Sequence, residues 1–185
     1  MQTTKTILLA ICLLITACAE TVLPKPRAML RLEYGQPEYQ ALQHDCPYNF
    51  DKNIKAAMVQ AKGCSFVLDY KNMKGSIYIT YKSINGDLKT LLTDAQKLSY
   101  EHVVKADNII EQPFINSDER VYGMFYEITG NAASQTQFYA TDSINHFITG
   151  SAYFYAKPNY DSILPAATYM AKDIRTIMET LKWND

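Results

Sequence analysis

Val121-Tyr-Gly-Met-Phe-Tyr-Glu-Ile-Thr129, Gln135-Thr-Gln-Phe-Tyr-Ala-Thr141 and His146-Phe-Ile-Thr-Gly-Ser-Ala-Tyr-Phe-Tyr-Ala156 are successive runs in which apolar and polar residues alternate. Between them stand Gly130-Asn-Ala-Ala-Ser134 and Asp142-Ser-Ile-Asn145, both rich in residues that turn a chain. That succession predicts an antiparallel three-stranded meander. Alternation sets one face toward a core and the other toward water, so the meander requires an apolar cover.

Two stretches have the period to supply that cover. After Asn85-Gly86, the residues Leu88, Leu91, Leu92, Ala95, Leu98, His102, Val103 and Ala106 recur at three and four, which predicts an amphipathic helix from Asp87 to Ala106. Near the end of the chain Ser162 is an N-cap candidate and Pro165 suits a first turn. Met170, Ala171, Ile174, Ile177, Met178 and Leu181 then form the stripe of a second helix, with Trp183 as a packing residue beyond it. Further strands are expected at Ala28–Tyr34, Lys55–Gln60, Ser65–Tyr70 and Ser76–Tyr81, with a short one at Ile109–Phe114. Strands, helix, strands, helix in this order give an α+β fold: an antiparallel sheet covered by two amphipathic helices on one or both faces. The element order resembles that of PsbP/Mog1-like sandwiches.

The first residues are processed and do not fold with the rest. Lys5 precedes the apolar run Ile7–Ile15, which is too short to span a bilayer. Ile15-Thr-Ala-Cys18 resembles a bacterial lipobox, which makes Cys18 the lipidated first residue of the mature chain; the alternative is a plain secreted protein in which Cys18 is incidental. The expected organisation is a lipoprotein signal peptide over 1–17, a lipid-attached tether over 18–27 containing Pro24-Lys-Pro26, and one periplasmic domain over 28–185. Ala19 after the lipobox favours attachment to the outer membrane, and the lack of an acidic surface-export run after Cys18 favours the side facing the periplasm. Eighteen Lys and Arg stand against 19 Asp and Glu, a balance that supplies no basic patch for nucleic acid. With 48% hydrophobic residues the chain can bury a sizeable core. Fourteen Tyr and 7 Phe suit strands.

Once Cys12 leaves with the signal and Cys18 carries lipid, Cys46 and Cys64 remain in an oxidising compartment. A disulfide is the first expectation, worth on the order of 3 kcal/mol for a loop of this length. The competing reading is a metal site that uses His44 with the two cysteines, although no second ligand cluster follows. No G-x-S-x-G elbow, Walker loop, H-E-x-x-H, C-x-x-C or dinucleotide glycine fingerprint is present, so neither cofactor nor metal is expected. Asp142, Ser143 and His146 share one turn, which is a poor arrangement for a hydrolytic triad. His102 lies on a helical stripe and reads as a boundary residue. Asp142-Ser-Ile144 and Asp161-Ser-Ile163 match a short O-glycosylation sequon of exported proteins, with Ser143 favoured because Ser162 is also the cap candidate.

A family resemblance completes the reading. The lipobox, His44-Asp-Cys-Pro-Tyr-Asn-Phe50, Lys74-Gly-Ser-Ile-Tyr-Ile-Thr-Tyr81, Val104-Lys-Ala-Asp107 and above all Val121–Ser134 through Gln137–Ser143 and His146-Phe147 resemble the gliding motility lipoprotein GldD family. The similarity runs from the signal peptide to Lys182. The resemblance implies a non-enzymatic accessory lipoprotein of the gliding machinery, tied to type IX secretion, with a lipid anchor in the membrane and other envelope proteins as partners. It brings no catalytic residue. The turn Gly130, Asn131, Ala132, Ala133, Ser134 is the expected partner contact, since turns on a rigid scaffold present surface. The alternative is a periplasmic binding module for a small ligand or glycan that uses an open sheet face and its tyrosines; a hydrolase would need a nucleophile and base in one cleft.

Overall fold

In the computed structural model of the chain the described residues are 32–60, 62–101, 104–155 and 159–184. Cys18, the tether, most of the expected strand Ala28–Tyr34, and His102 lie outside them, and Leu32–Tyr34 forms no strand. The strands in chain order are β1 (Tyr39–Ala41), β2 (Tyr48–Asn49), β3 (Asp51–Asn53), β4 (Ala57–Gln60), β5 (Phe66–Tyr70), β6 (Gly75–Ser83), β7 (Ala106–Asn116), β8 (Val121–Gly130), β9 (Ser134–Thr141), β10 (His146–Phe154) and β11 (Lys182–Trp183). Helix α1 (Leu88–Tyr100) joins β6 to β7, and α2 (Tyr160–Thr180) follows β10.

The meander β8–β9–β10 is the middle of a 7-stranded antiparallel sheet with the order β4-β5-β6-β10-β9-β8-β7. On one side β7 forms a hairpin with β8 from Asn116↔Val121 to Ala106↔Gly130. On the other, β10 pairs with β6 from His146↔Ser83 to Phe154↔Gly75, a contact between segments far apart in sequence. Small two-stranded sheets, β1 with β3 and β2 with β11, flank the main one.

The helices cover opposite faces. Phe66, Leu68, Ile77, Ile79, Phe125, Phe138, Ala140 and Ile148 pack against Met170, Ile174, Ile177 and Met178 of α2. Tyr126, Tyr139 and Phe147 pack against Leu91 and Ala95 of α1. Strand β9, between them, is therefore buried along its whole length. This departs from the expected water-facing side of the meander, and hydrogen bonds make it tolerable: Ser99 Oγ of α1 donates to Gln137 Oε1 at 2.9 Å and Thr141 Oγ1 donates to the His146 carbonyl at 2.7 Å. On the α2 face Gly150 lies opposite Phe138, and a Cβ there would meet Phe138 Cε1 at 2.1 Å. The glycine makes room for the ring.

Other expectations change at their boundaries. The first helix stops at Tyr100, and Ala106 opens β7, because pairing with the end of β8 overrides the helical pattern. The short strand expected at Ile109–Phe114 is consequently an 11-residue one. The strand expected from Lys55 starts at Ala57, since Asn53 Oδ1 accepts the Lys55 N–H at 2.9 Å and holds a turn. Helix α2 begins at Tyr160 after Asn159, so Ser162 is a first-turn residue whose hydroxyl donates to the Asn159 carbonyl at 2.9 Å, and Pro165 falls beyond the first turn.

Candidate functional site

Three of the stretches that carry the family resemblance, those holding Cys46 and Tyr48, Tyr81, and His146, meet at one corner of the sheet. Cys46 and Cys64 are joined in a disulfide with Cα atoms 5.6 Å apart, which ties the loop before β2 to the start of β5. Their sulfurs are thus bonded to each other and are not thiolates that a metal could use. Tyr48 stacks on Tyr81 at 5.5 Å between ring centroids, and its hydroxyl donates to the Cys64 carbonyl. Tyr81 Oη and His146 Nδ1 are 2.8 Å apart, and the His146 ring stacks on Trp183 at 5.2 Å. Trp183 Nε1 donates to the Arg120 carbonyl at 3.1 Å, and Asn184 Nδ2 donates to the Cys46 carbonyl at 2.8 Å. The chain end is thereby locked onto the disulfide corner.

Both described histidines serve this packing. The Cys46 N–H donates to His44 Nδ1 at 3.0 Å, so that nitrogen carries no proton and the neutral ring has its proton on Nε2. Burial holds the His44 pKa below its ordinary value, against the pull of Asp45, and preserves that state. Asp142 Oδ1 accepts the N–H groups of Ile144, Asn145 and His146 at 3.0, 2.8 and 2.8 Å. Burial would raise its pKa, but these bonds and the nearby His146 hold it below the usual carboxylate value. The sequence-adjacent Asp142, Ser143 and His146 therefore form a braced turn. Ser143 and Ile144 stand exposed on it, Ile144 by 62%, with Ser143 at φ 69°.

At the opposite end, Gly130–Ser134 links β8 to β9 as a tight connection. Gly130 has φ 94°, and a Cβ would approach the Asp107 nitrogen to 2.7 Å, so glycine is required there. Asn131 Oδ1 accepts the Tyr160 N–H at 2.9 Å. Ala132 is only 1% exposed and Ser134 is buried. The expectation that all five residues form a contact surface is corrected accordingly: Asn131 and Ala133 remain exposed, and the others are interior. Ser162, the second sequon serine, is exposed at the start of α2.

One cluster was missed by the sequence reading. Asp173, 1% exposed, accepts from Tyr39 Oη at 2.7 Å on one oxygen, and from Asn53 Nδ2 at 2.9 Å and Tyr70 Oη at 2.7 Å on the other. Burial raises its pKa, with the three donors and the Lys55 charge opposing. A charged residue inside the stripe Met170, Ile174, Ile177 was the available signal. The network pins β1, β3 and β5 to α2. Beside it opens a cavity of about 470 Å³ bordered by Tyr34, Lys55, Asp69, Tyr70, Lys71 and Asn72. Cavities beside the start of α2 and below His44 are about 160 and 280 Å³. Small-molecule sites run about 300–1,000 Å³, a range that, of these three cavities, only the first reaches.

No curated protein matches the chain. A family model described as "Gliding motility lipoprotein GldD" matches residues 19–183.

Proposed function

This chain belongs to the gliding motility lipoprotein GldD family, and from that membership we propose that it is a non-enzymatic outer-membrane lipoprotein that supports the gliding machinery, and the type IX secretion linked to it, through protein contacts. As a member of that family it is a membrane-associated envelope lipoprotein; Cys18 is the proposed lipid-bearing residue and the periplasm the proposed side. Among the described residues no helix is long and apolar enough to cross a membrane.

The observation that carries this reading is how the reactive side chains are employed. His44 and His146 are held by backbone, tyrosine and tryptophan partners, and Cys46 and Cys64 are spent on a disulfide. Among the described residues, the histidines and cysteines that could act as base or nucleophile are committed to packing. What the fold presents instead is a rigid corner with Ile144 and Ser143 at its tip. Such braced turns suit recognition by another protein. Purification of the detergent-extracted native lipoprotein, followed by mass spectrometry of what accompanies it, tests the proposal. Gliding or secretion components in stoichiometric yield are expected, and a pure monomer would sink it.

Ser143 is also the proposed O-glycosylation acceptor: its hydroxyl has no hydrogen bond among the described residues, whereas that of Ser162 is engaged with Asn159. An intact mass equal to the lipidated polypeptide alone would rule this out.

A further inference from the structure

We propose that the sheet face over β4, β5 and β6, with the Lys71–Lys74 hairpin tip, lies on the bilayer that holds the lipid anchor, a docking that rests on the lipoprotein reading above. Phe66, Leu68, Ile77 and Ile79 of these strands turn toward α2, so their neighbours point to the other face. There Val59 stands opposite Val67, and Val67 opposite Tyr78, in one row across the strands. Tyr155 joins the same face, where its hydroxyl contacts Ser76 Oγ and donates to Asp69 Oδ1 at 3.1 Å. Helix α1 covers this face at Tyr126, Tyr139 and Phe147 but leaves it open here: Val59 is 57%, Tyr78 41% and Tyr155 60% exposed.

Two observations select a lipid surface for this face. The first is where the chain enters the fold. Gly35 lies beside Lys55, and Tyr34 and Gly35 border the same cavity as Asp69 and Lys71, so the chain arrives at the end of the sheet that carries the hairpin tip and Tyr155. Only 14 residues separate Leu32 from Cys18, the proposed lipid-bearing residue, and their reach is at most about 50 Å. A surface tethered this closely stays docked with weak affinity, because its contact with the bilayer is intramolecular in effect. The second is composition. The hairpin segment from Asp69 to Ser76 carries Lys71 and Lys74 against one carboxylate, Asp69, which is held by Ser76 and Tyr155. Lys71 and Lys74 are exposed, and their side chains have no partner among the described residues. Lysine is depleted at protein interfaces, whereas a headgroup surface draws lysine to its phosphates and tyrosine to its apolar boundary. Strand β10 has 9 residues, so its ends lie about 27 Å apart. Ile144 stands beyond the end away from the hairpin tip, so docking turns it away from the membrane and toward partners.

The test uses the full-length lipoprotein, its lipid verified by intact mass, in vesicles of phosphatidylethanolamine and phosphatidylglycerol. An environment-sensitive fluorophore is placed on a single cysteine introduced as Val59→Cys, Asn72→Cys or Ile144→Cys. Lipids that carry a quencher should quench the label at positions 59 and 72 and leave that at 144 bright. Lys71→Gln and Lys74→Gln should each lower the ratio of docked to undocked protein roughly threefold to tenfold. All these positions are exposed, so the melting temperatures should match the wild type. Equal quenching at the three positions, none at 59 and 72, or no response to both lysine variants would overturn the docking. A label at position 59 that is shielded in native membranes but not in vesicles would give this face to a protein instead. The vesicles hold no other envelope protein, so partner capture without docking contradicts only this proposal, and docking without partner capture contradicts only the assembly reading. A mass without lipid would overturn both.

Discussion

Asn131 Oδ1 accepts the backbone N–H of Tyr160 at 2.9 Å, so the turn between β8 and β9 serves the first residue of α2. The first N–H groups of a helix have no intrahelical acceptor, and here a side chain from another element satisfies one of them. The same turn buries Ala132 against the fold and needs glycine at position 130. Its characteristic sequence thus has a structural explanation at several positions, and only Asn131 and Ala133 remain to meet a partner.

The turn separates into residues with different expected mutational outcomes. Asn131→Ala should cost about 1 kcal/mol, the usual worth of a helix cap, as read by urea denaturation. Ala132→Leu should cost about 1–3 kcal/mol through overpacking. Ala133→Arg should change stability by less than about 0.5 kcal/mol. If Ala133→Arg proves as damaging as Ala132→Leu, position 133 is packed into the fold and cannot face a partner.

Gly150→Ala should destabilise strongly despite its small size. The added methyl would fall 2.1 Å from Phe138 Cε1, so the ring or the strand must move, at a cost of about 1–3 kcal/mol. Phe138→Leu in the same chain should recover part of the loss. Additive losses in that double mutant would show that the two positions are not coupled.

Much of this architecture was legible in the sequence. Alternation fixes β8, β9 and β10 to within a residue or two, and three-four spacing locates both helices. Pairings between distant segments were not legible. Ala106-Asp-Asn108 continues a helical stripe on paper, and only its partners Gly130 and Thr129 make it a strand. Burial of the polar residue Gln137 depends on α1 arriving over it with Ser99, which no local pattern announces. At the corner, the disulfide was an expectation from cysteine arithmetic, while the chain Tyr48, Tyr81, His146, Trp183 draws on four separate segments and has no spacing signature.

Asp173 and Asp142 should act on stability with opposite pH signs. Asp173 has a raised pKa, so its contribution is full below the unfolded carboxylate value of about 3.9 and declines as pH rises through the folded value. Asp142 has a lowered pKa, so its contribution is present above about 3.9 and is lost as pH falls through the folded value. Relative to wild type, Asp173→Asn should therefore compare better at pH 7 than at pH 4, and Asp142→Asn better at pH 4 than at pH 7. Urea titrations at the two pH values measure both, and parallel shifts in the two variants would contradict the assignment. Asp173→Ala, which removes the acceptor of three hydrogen bonds, should cost about 3 kcal/mol or more.

Reduction of the Cys46–Cys64 bridge, or its removal in the double variant Cys46→Ala with Cys64→Ala, should lower stability by on the order of 3 kcal/mol. Near-ultraviolet circular dichroism should weaken as Tyr48 and Tyr81 lose their fixed stacking. A reduced protein with unchanged stability and spectrum would show that β11 and its partners hold the corner without the bridge.

The most direct test of the central claim places a photocrosslinking amino acid at Ile144, at Ala133 and, as a control, at the exposed Lys89 of α1, in the native lipoprotein in its own membranes. Irradiation should give discrete adducts with gliding or secretion envelope proteins from Ile144 or Ala133 and none from Lys89. Recovery of the monomer alone from all three positions, under conditions that capture other envelope complexes, would contradict a role in assembly through protein contacts.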